Sequence, residues 1–246
     1  MFELSSDPYR NLASVYDQLG LSEKGESYAR IILESLRELT SPGRMLDLGC
    51  GTGKAAILFA ISGWDAAGLD LSQDMIAMAR LQALEAQAKV DFTRHDMRTL
   101  DLENHFLLIT CFVTLNHLRQ ESDLETVIRV AARATVKSGF LACDIFSSGA
   151  FPPESTQVKI TPNLYLIESN SWQSQELFQR RLIWFRKKGE LYEKKESLIE
   201  ERAYSQDFFL ETAEKYGFKP LKRWALQEKM IEGEESPYTL YLFQKH

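Results

Sequence analysis

The 246-residue sequence contains no apolar run approaching the roughly 18 residues needed to span a bilayer. Its start, Met1-Phe2-Glu3-Leu4-Ser5-Ser6-Asp7, lacks the basic stretch and apolar core of an export signal. The expectation is a cytoplasmic protein that meets no membrane. Positive charge is also short: Lys and Arg number 29 against 35 Asp and Glu, so the net charge is −6. No sequence-wide field exists to hold a phosphate backbone, and nucleic acid is not expected as a partner. Only three cysteines occur, Cys50, Cys111 and Cys143, far apart and in apolar surroundings. They form neither a disulfide framework nor a zinc-binding spacing, so we expect reduced core thiols and no metal. Repeats and low-complexity tracts are missing too, while 44% hydrophobic and 26% charged residues suit a globular chain.

The pattern along the chain changes twice. Asp7-Pro8 reads as an N-cap followed by proline at the first helical position, and Leu12, Val15, Tyr16 and Leu19 recur at helical spacing to Gly20. A second helix carries Tyr28, Ile32, Leu36 and Leu39 on one face and stops at Ser41-Pro42-Gly43. Residues 1–43 are therefore expected to be a helical cover. Short apolar strands then alternate with helices, as in a parallel sheet built of βαβ units. Strands are expected at Arg44 to Leu48, Ala66 to Asp70, Val90 to Arg94, Phe106 to Phe112 and Phe140 to Phe146. Between them lie a helix from Lys54 to Ile61, one capped by Ser72, and one opened by a Ser122/Glu125 capping box and closed by Gly139.

After Gly149 the period becomes two, in Leu164 to Ile167 and in Phe178, Arg180, Leu182, Trp184 and Arg186, which predicts antiparallel strands over 150–204. Lys187-Lys188-Gly189-Glu190 reads as a hairpin connection whose lysines are solvated. A helix from Ser205 and strands from Phe218 to Leu226 and from Tyr238 to Gln244 close the chain. The division is 1–149 with 205–246 as one α/β unit and 150–204 as a small β insertion.

The informative stretch is Met45-Leu46-Asp47-Leu48-Gly49-Cys50-Gly51-Thr52-Gly53-Lys54, an apolar strand entering a glycine loop that opens a helix. Three alternating glycines let the backbone turn sharply and a ligand approach where a Cβ would collide. Two phosphate-binding patterns fail on spacing. A dinucleotide fingerprint counted from Gly49 needs Gly or Ala where Lys54 stands. A P-loop ending at Gly53-Lys54 needs glycine at Leu48 and Ser or Thr at Ala55. What remains is a carboxylate, Asp47, ahead of the loop, and a second, Asp70, at the end of the next strand, where a ribose diol would donate to it. Together they describe a nucleoside carrying a cationic group.

At this point the sequence resembles the class I S-adenosylmethionine-dependent methyltransferases. Leu46 to Gly53 is similar to the family's first motif, Gly68-Leu69-Asp70-Leu71-Ser72 with Met75 to its second, and His95-Asp96-Met97 to the adenine-binding end of the third strand. The resemblance implies a doubly wound, mostly parallel seven-stranded sheet whose antiparallel last strand lies beside the fifth. It implies S-adenosylmethionine as cofactor. Gly49, Cys50, Gly51 and Gly53 would line its methionine and ribose, Asp47 would lie near the ammonium or its bridging water, and Asp70, with Leu71 and Met75 of the second motif, would meet the ribose. Asp96 would accept from the adenine amino group with the Met97 backbone beside the ring, and Phe112 would complete the cofactor site.

Tyr9, Ala13, Tyr16 and Asp17, with the later antiparallel segment, narrow the resemblance to enzymes that methylate small molecules. The chain departs from the family in carrying Leu107 where many members have Asp. After the fourth strand it reads Thr114-Leu115-Asn116-His117-Leu118, without the [DN]-P-P-[YF] signature of base-amine methylation.

In-line methyl transfer needs above all a nucleophile held about 3 to 3.5 Å from the methyl carbon, and a base only if the acceptor is a hydroxyl or a protonated amine. His117 is the candidate base, or a loop cap. Tyr16 is a lid residue reaching the cofactor, or core. Asp17 is expected to be an exposed helix carboxylate. Tyr9 and, on the insertion, Tyr165, Trp172, Trp184, Arg202 and Tyr204 are the candidate acceptor-binding residues, since aromatic and cationic groups enclose a planar or anionic ligand. Ordinary sheet packing accounts for the aromatics equally well. Two alternatives stand beside methyl transfer: a nicotinamide-dependent oxidoreductase, which Lys54 opposes, and a cofactor-binding protein without catalysis.

Overall fold

The computed structural model describes residues 7–226, 230–234 and 236–246; Met1 to Ser6, read above for an export signal, lie outside them. In chain order the elements are α1 (Glu23–Leu36), β1 (Arg44–Leu48), α2 (Lys54–Ile61), β2 (Asp65–Asp70), α3 (Gln73–Glu85), β3 (Val90–Arg94) and β4 (Phe106–Cys111). There follow α4 (Glu121–Ala134), β5 (Thr135–Phe146), β6 (Glu154–Ile160), β7 (Leu164–Trp172), β8 (Leu177–Lys188) and β9 (Leu191–Arg202). The chain closes with α5 (Gln206–Lys215), β10 (Phe218–Leu226), β11 (Met230–Glu232) and β12 (Tyr238–Lys245).

The main sheet has the order β3-β2-β1-β4-β5-β12-β10-β11. Its first five members pair in parallel and β12 runs antiparallel between β5 and β10. Seven of these strands are those expected, and the three-residue β11 adds an eighth at the edge. Two-residue alternation distributes the strands' side chains between two cores. Met45, Leu108 and Leu240 pack with Tyr28, Ile32 and Phe59 of α1 and α2. Leu46, Ile109 and Tyr241 pack with Leu124, Ile128 and Phe209 of α4 and α5 on the other face. The strand order reverses between β1 and β4, and ligands of open α/β sheets bind outside the carboxyl ends at such a switch point.

The second sheet, β6-β7-β8-β9, is wholly antiparallel. Lys188 pairs with Leu191 across the Gly189-Glu190 turn, and Gly189 takes φ +63 there. This sheet does not stand alone. Leu164, Leu166, Leu182, Trp184 and Ile199 bury themselves against Leu12, Val15 and Leu19 from the N-terminal segment. Segment and insertion thus share one core.

Several local expectations are corrected. Residues 7–21 form turns around a single 3-10 turn at Ala13–Val15, not a helix. The Asp7 carboxylate takes the Tyr9 N–H and the Ser72 hydroxyl, which ties the segment to α3 rather than extending it. Ser72 therefore precedes α3 without capping it through its side chain. Leu39 lies beyond α1 and is 43% exposed. α4 starts two residues early, after Gln120 and with no side-chain cap, and Glu125 instead holds Lys215 at the end of α5 and Tyr216 just beyond it. Gly139 lies inside β5, where a Cβ would stand 2.9 Å from the Leu107 carbonyl oxygen.

Candidate active site

The loop after β1 fixes the centre of the site. Gly49 and Cys50 donate their N–H groups to the Leu69 carbonyl at 2.8 and 2.9 Å, and Gly51 N–H donates to Asp70 Oδ2 at 2.9 Å. Gly49, Gly51 and Gly53 all have positive φ. Their roles differ nonetheless. A Cβ on Gly53 would lie 2.5 Å from the Phe92 ring, so this glycine lets α2 pack on β3 and does not line the cavity, contrary to its expected cofactor contact. A Cβ on Gly51 would meet nothing within 4 Å: it points into the open space of a cavity of about 770 Å³.

Asp47, Gly49, Cys50, Gly51, Asp70, Leu71, Met75, Asp96, Met97 and Phe112 all line that cavity. Asp47 is 3% exposed and takes the Thr110 hydroxyl at 2.7 Å. Burial pushes its pKa up to about 7; the charge of Asp70 adds to this, while the Thr110 hydrogen bond opposes it. Asp70 receives N–H groups from Gly51 and Ser72, one on each oxygen, which leaves further lone pairs for hydroxyl donors. Its pKa is also raised, burial outweighing those two hydrogen bonds. Asp96 is differently placed. Arg98 donates to both of its oxygens from its side chain and to one from its backbone, and lowers its pKa, so the expected adenine contact requires Arg98 to give way.

The N-terminal segment closes the front of the cavity with Asp7, Tyr9 and Tyr16. Asp17, expected to be solvated, is bonded by the Thr52 hydroxyl at 2.9 Å and by Gln82, which fastens the segment to the glycine loop. Tyr9 and His117 meet here: Tyr9 Oη lies 2.9 Å from His117 Nε2. His117 ends the 3-10 turn Leu115–His117 after β4, and the carboxylate of Glu201, 4% exposed on β9, approaches the same nitrogen at 3.9 Å. Burial, then the neighbouring Tyr16 and Glu201, push the Tyr9 pKa well above its ordinary value, and burial takes Tyr16 to about 12. Both phenols are therefore protonated at neutral pH.

The insertion contributes residues that its aromatic pattern did not single out. Leu198, Ile199 and Glu200 of β9 line the cavity, whereas Tyr165, Trp172, Trp184, Arg202 and Tyr204 do not. Each of these five has a packing role instead. Tyr165 stacks edge-on to Tyr192, and Trp172 donates to the Phe151 carbonyl beside Phe146 and Phe178. Trp184 is 1% exposed in the core shared with the N-terminal segment. Arg202 pairs with Glu121 and Glu176, and the Tyr204 hydroxyl donates to Leu118 O at 2.6 Å. Behind this wall Glu168, Arg180 and Glu201 of the same sheet are partly or wholly buried, and Arg180 pairs with Glu168 at 2.9 Å.

Known methyltransferases resemble this chain in sequence and in fold. The family described as "Methyltransferase domain" matches residues 45–139. A putative methyltransferase of Bacillus subtilis, YqeM, is 29% identical over 217 residues, 86% of each chain. Two solved structures share the fold over almost the whole chain. One is an S-adenosylmethionine-dependent methyltransferase from Clostridium acetobutylicum, with TM-score 0.81 at 21% identity, covering 97% of this chain and 99% of that one. The other is CalS10, an amino pentose methyltransferase of Micromonospora echinaspora with the cofactor bound, with TM-score 0.75 at 17% identity, covering all of both chains.

Proposed function

We propose, from the premise that this chain is a class I S-adenosylmethionine-dependent methyltransferase, that its acceptor is a small molecule methylated on a hydroxyl or amine. One observation carries the reading: Asp47, Gly51, Asp70 and the Tyr9–His117 pair all front a single cavity at the carboxyl edge of the sheet. The residues suit the cofactor, since Gly51 leaves open the space a Cβ would fill and Asp47 and Asp70 offer acceptors to an ammonium and a diol. An amino sugar is one such acceptor, the structural relative CalS10 being an amino pentose methyltransferase. The β6–β9 sheet forms the acceptor-side unit in this reading. The reaction is assigned to the cytoplasm, supported by three buried cysteines that carry no disulfide; among the described residues no helix is long and apolar enough to cross a membrane.

The cofactor supplies a methyl group already activated on a sulfonium. The protein's task is to hold the acceptor in line and to remove its proton. With the imidazole neutral and its proton on Nδ1, Tyr9 donates its O–H to His117 Nε2, so the phenol oxygen is the group that can accept a proton from the acceptor while passing its own to the imidazole. Glu201 then faces the imidazolium. His117→Ala and Tyr9→Phe should each lower turnover by up to about a thousandfold, with the cofactor dissociation constant within about threefold of wild type. The test measures release of S-adenosylhomocysteine over pools of small hydroxyl and amine compounds. Unchanged turnover in both variants would remove the pair from catalysis.

Asp47 makes cofactor binding pH-dependent. Its pKa near 7 in the free protein should drop once an ammonium lies beside it, so binding at pH 6 should expel close to one proton and at pH 8 almost none. Affinity should weaken about tenfold per pH unit below 7. Calorimetry in two buffers of different ionisation enthalpy measures the proton directly, and none released at pH 6 would separate Asp47 from the ammonium. The free protein follows the opposite trend. A carboxylic acid whose folded pKa is raised contributes stability that is whole below about pH 4 and is lost as the pH climbs through 7.

A further inference from the structure

The described residues also enclose a second cavity, of about 340 Å³, between the start of α1 and strands β6 to β8. Leu21 and Val113 line both cavities, so the second compartment adjoins the first just beyond the end of β4, on the side where His117 follows. The shared wall is a held structure. Val113 has φ +54, a conformation that costs a β-branched residue about 1–3 kcal/mol, and its N–H is fixed by Asp144 Oδ1 at 2.6 Å.

What distinguishes this second cavity is a lining with three cationic side chains, Lys24, Lys159 and Arg180. Lys24 lines it and retains accessible surface, with its ammonium 4.6 Å from the Tyr238 ring centroid and no carboxylate of the described residues within 4.0 Å. Burial lowers its pKa, although Asp144 nearby opposes this. Arg180 gives Nε and Nη2 to the same oxygen of Glu168, at 3.2 and 2.9 Å, and Nη1 has no protein acceptor among the described residues. Lys159 likewise lacks an ion-pair partner there. Glu23 and Glu168 are the acidic residues on this wall, while Glu201 also acts on Arg180 and Asp144 on Lys24 from outside the lining. The Lys24 ammonium and Arg180 Nη1 remain donors without a protein acceptor among the described residues, and a ligand anion would accept from both.

We propose that this cavity is an anion subsite for the methyl acceptor. A carboxylate or phosphate group of the acceptor lies on Lys24 and Arg180, while its nucleophile reaches past Leu21 and Val113 into the cofactor cavity. The inference rests on the methyl-transfer reading and adds the acceptor's charge to it.

The test uses the full-length protein saturated with S-adenosylhomocysteine, and takes succinate and pyrophosphate as probes of the two anion classes. Calorimetry and thermal shift in 0.1 M NaCl should detect one or both, and whichever binds more tightly identifies the acceptor's group. Lys24→Met, which keeps the aliphatic stem, should weaken that probe at least tenfold, while Lys194→Met on the exposed hairpin leaves it unchanged. S-adenosylhomocysteine affinity should stay within about threefold throughout. Arg180→Met should weaken the probe as well, but it breaks the Glu168 pair, so Lys24→Met is the deciding variant. The subsite is overturned if neither probe binds the loaded wild type, if Lys24→Met binds as well as wild type, or if Lys194→Met loses as much. Failure of the wild type to bind S-adenosylhomocysteine would instead bring down the methyl-transfer reading together with the inference built on it.

Discussion

Gly51→Val is expected to leave a folded protein with no measurable affinity for S-adenosylmethionine, a loss of at least a thousandfold, or about 4 kcal/mol. Its position makes folding and binding separable. No atom lies within 4 Å of the Cβ that would be added, so the packed protein has nothing to push aside. The branched side chain would instead enter the open cavity that Gly51, Asp47 and Asp70 line, which is the proposed cofactor site. A second penalty comes from the backbone. At φ +53 an L residue with a Cβ is disfavoured by about 1–2 kcal/mol, and relaxation would turn the N–H away from Asp70 Oδ2. Circular dichroism should report native structure while calorimetry with the cofactor gives no heat. Normal binding would reduce the glycine loop to a turn. Gly53 supplies the contrast, because there the added Cβ would strike the Phe92 ring and damage should appear as lost stability.

Trp184→Ala should cost about 3–5 kcal/mol of stability, as expected for deleting a fully buried indole. The loss should also reach the cofactor. Trp184 packs with Leu12, Val15 and Leu19, in the same segment that carries Tyr9 and Tyr16 to the cavity. Removing the indole loosens the front wall from behind, so S-adenosylhomocysteine affinity should weaken about tenfold or more in the molecules that remain folded. Urea denaturation and calorimetry give the two numbers. Wild-type stability with altered acceptor kinetics alone would return Trp184 to the acceptor wall, where its position on an alternating strand first put it.

That reversal shows where sequence reasoning reached its limit. The boundaries of β1 and α2 could be read directly, because Pro42-Gly43 and Gly49 flank the first and Gly53 and Ser62-Gly63 the second. Asp47, Gly51 and Asp70 were legible for a related reason: strand-end positions beside a loop have little choice of where to point. The insertion was legible as antiparallel strands but not in its contacts. Alternation says that Trp184 and Leu182 share a face, yet it does not say whether that face meets a ligand or residues 12–19. The lost N-terminal helix has a comparable cause. Asp7 and Pro8 are good helix starters locally, but Asp7 bonds Ser72, 65 residues away, and such a partner leaves no local trace. Arg180, Glu201 and Lys24 were invisible for the opposite reason, being ordinary surface residues by type that the fold draws inward or onto a cavity wall.

The position of β12 has a consequence for how the chain is made. This strand pairs with β5 from Phe146 back to Phe140 and with β10 on its other side, so it joins the two halves of the main sheet. It also follows every other strand of the main sheet in the chain. Through the translation of some ninety residues after β5, that strand has no neighbour on one side and presents an open row of amide and carbonyl groups flanked by Leu141, Ile145 and Phe146. The nascent chain thus carries an adhesive edge that its own sequence covers only at the end, and pairing over so long a separation is slow to form. Chaperone demand and losses to aggregation should therefore be set by the interval between β5 and β12, and not by the early βαβ units, which can fold as they emerge.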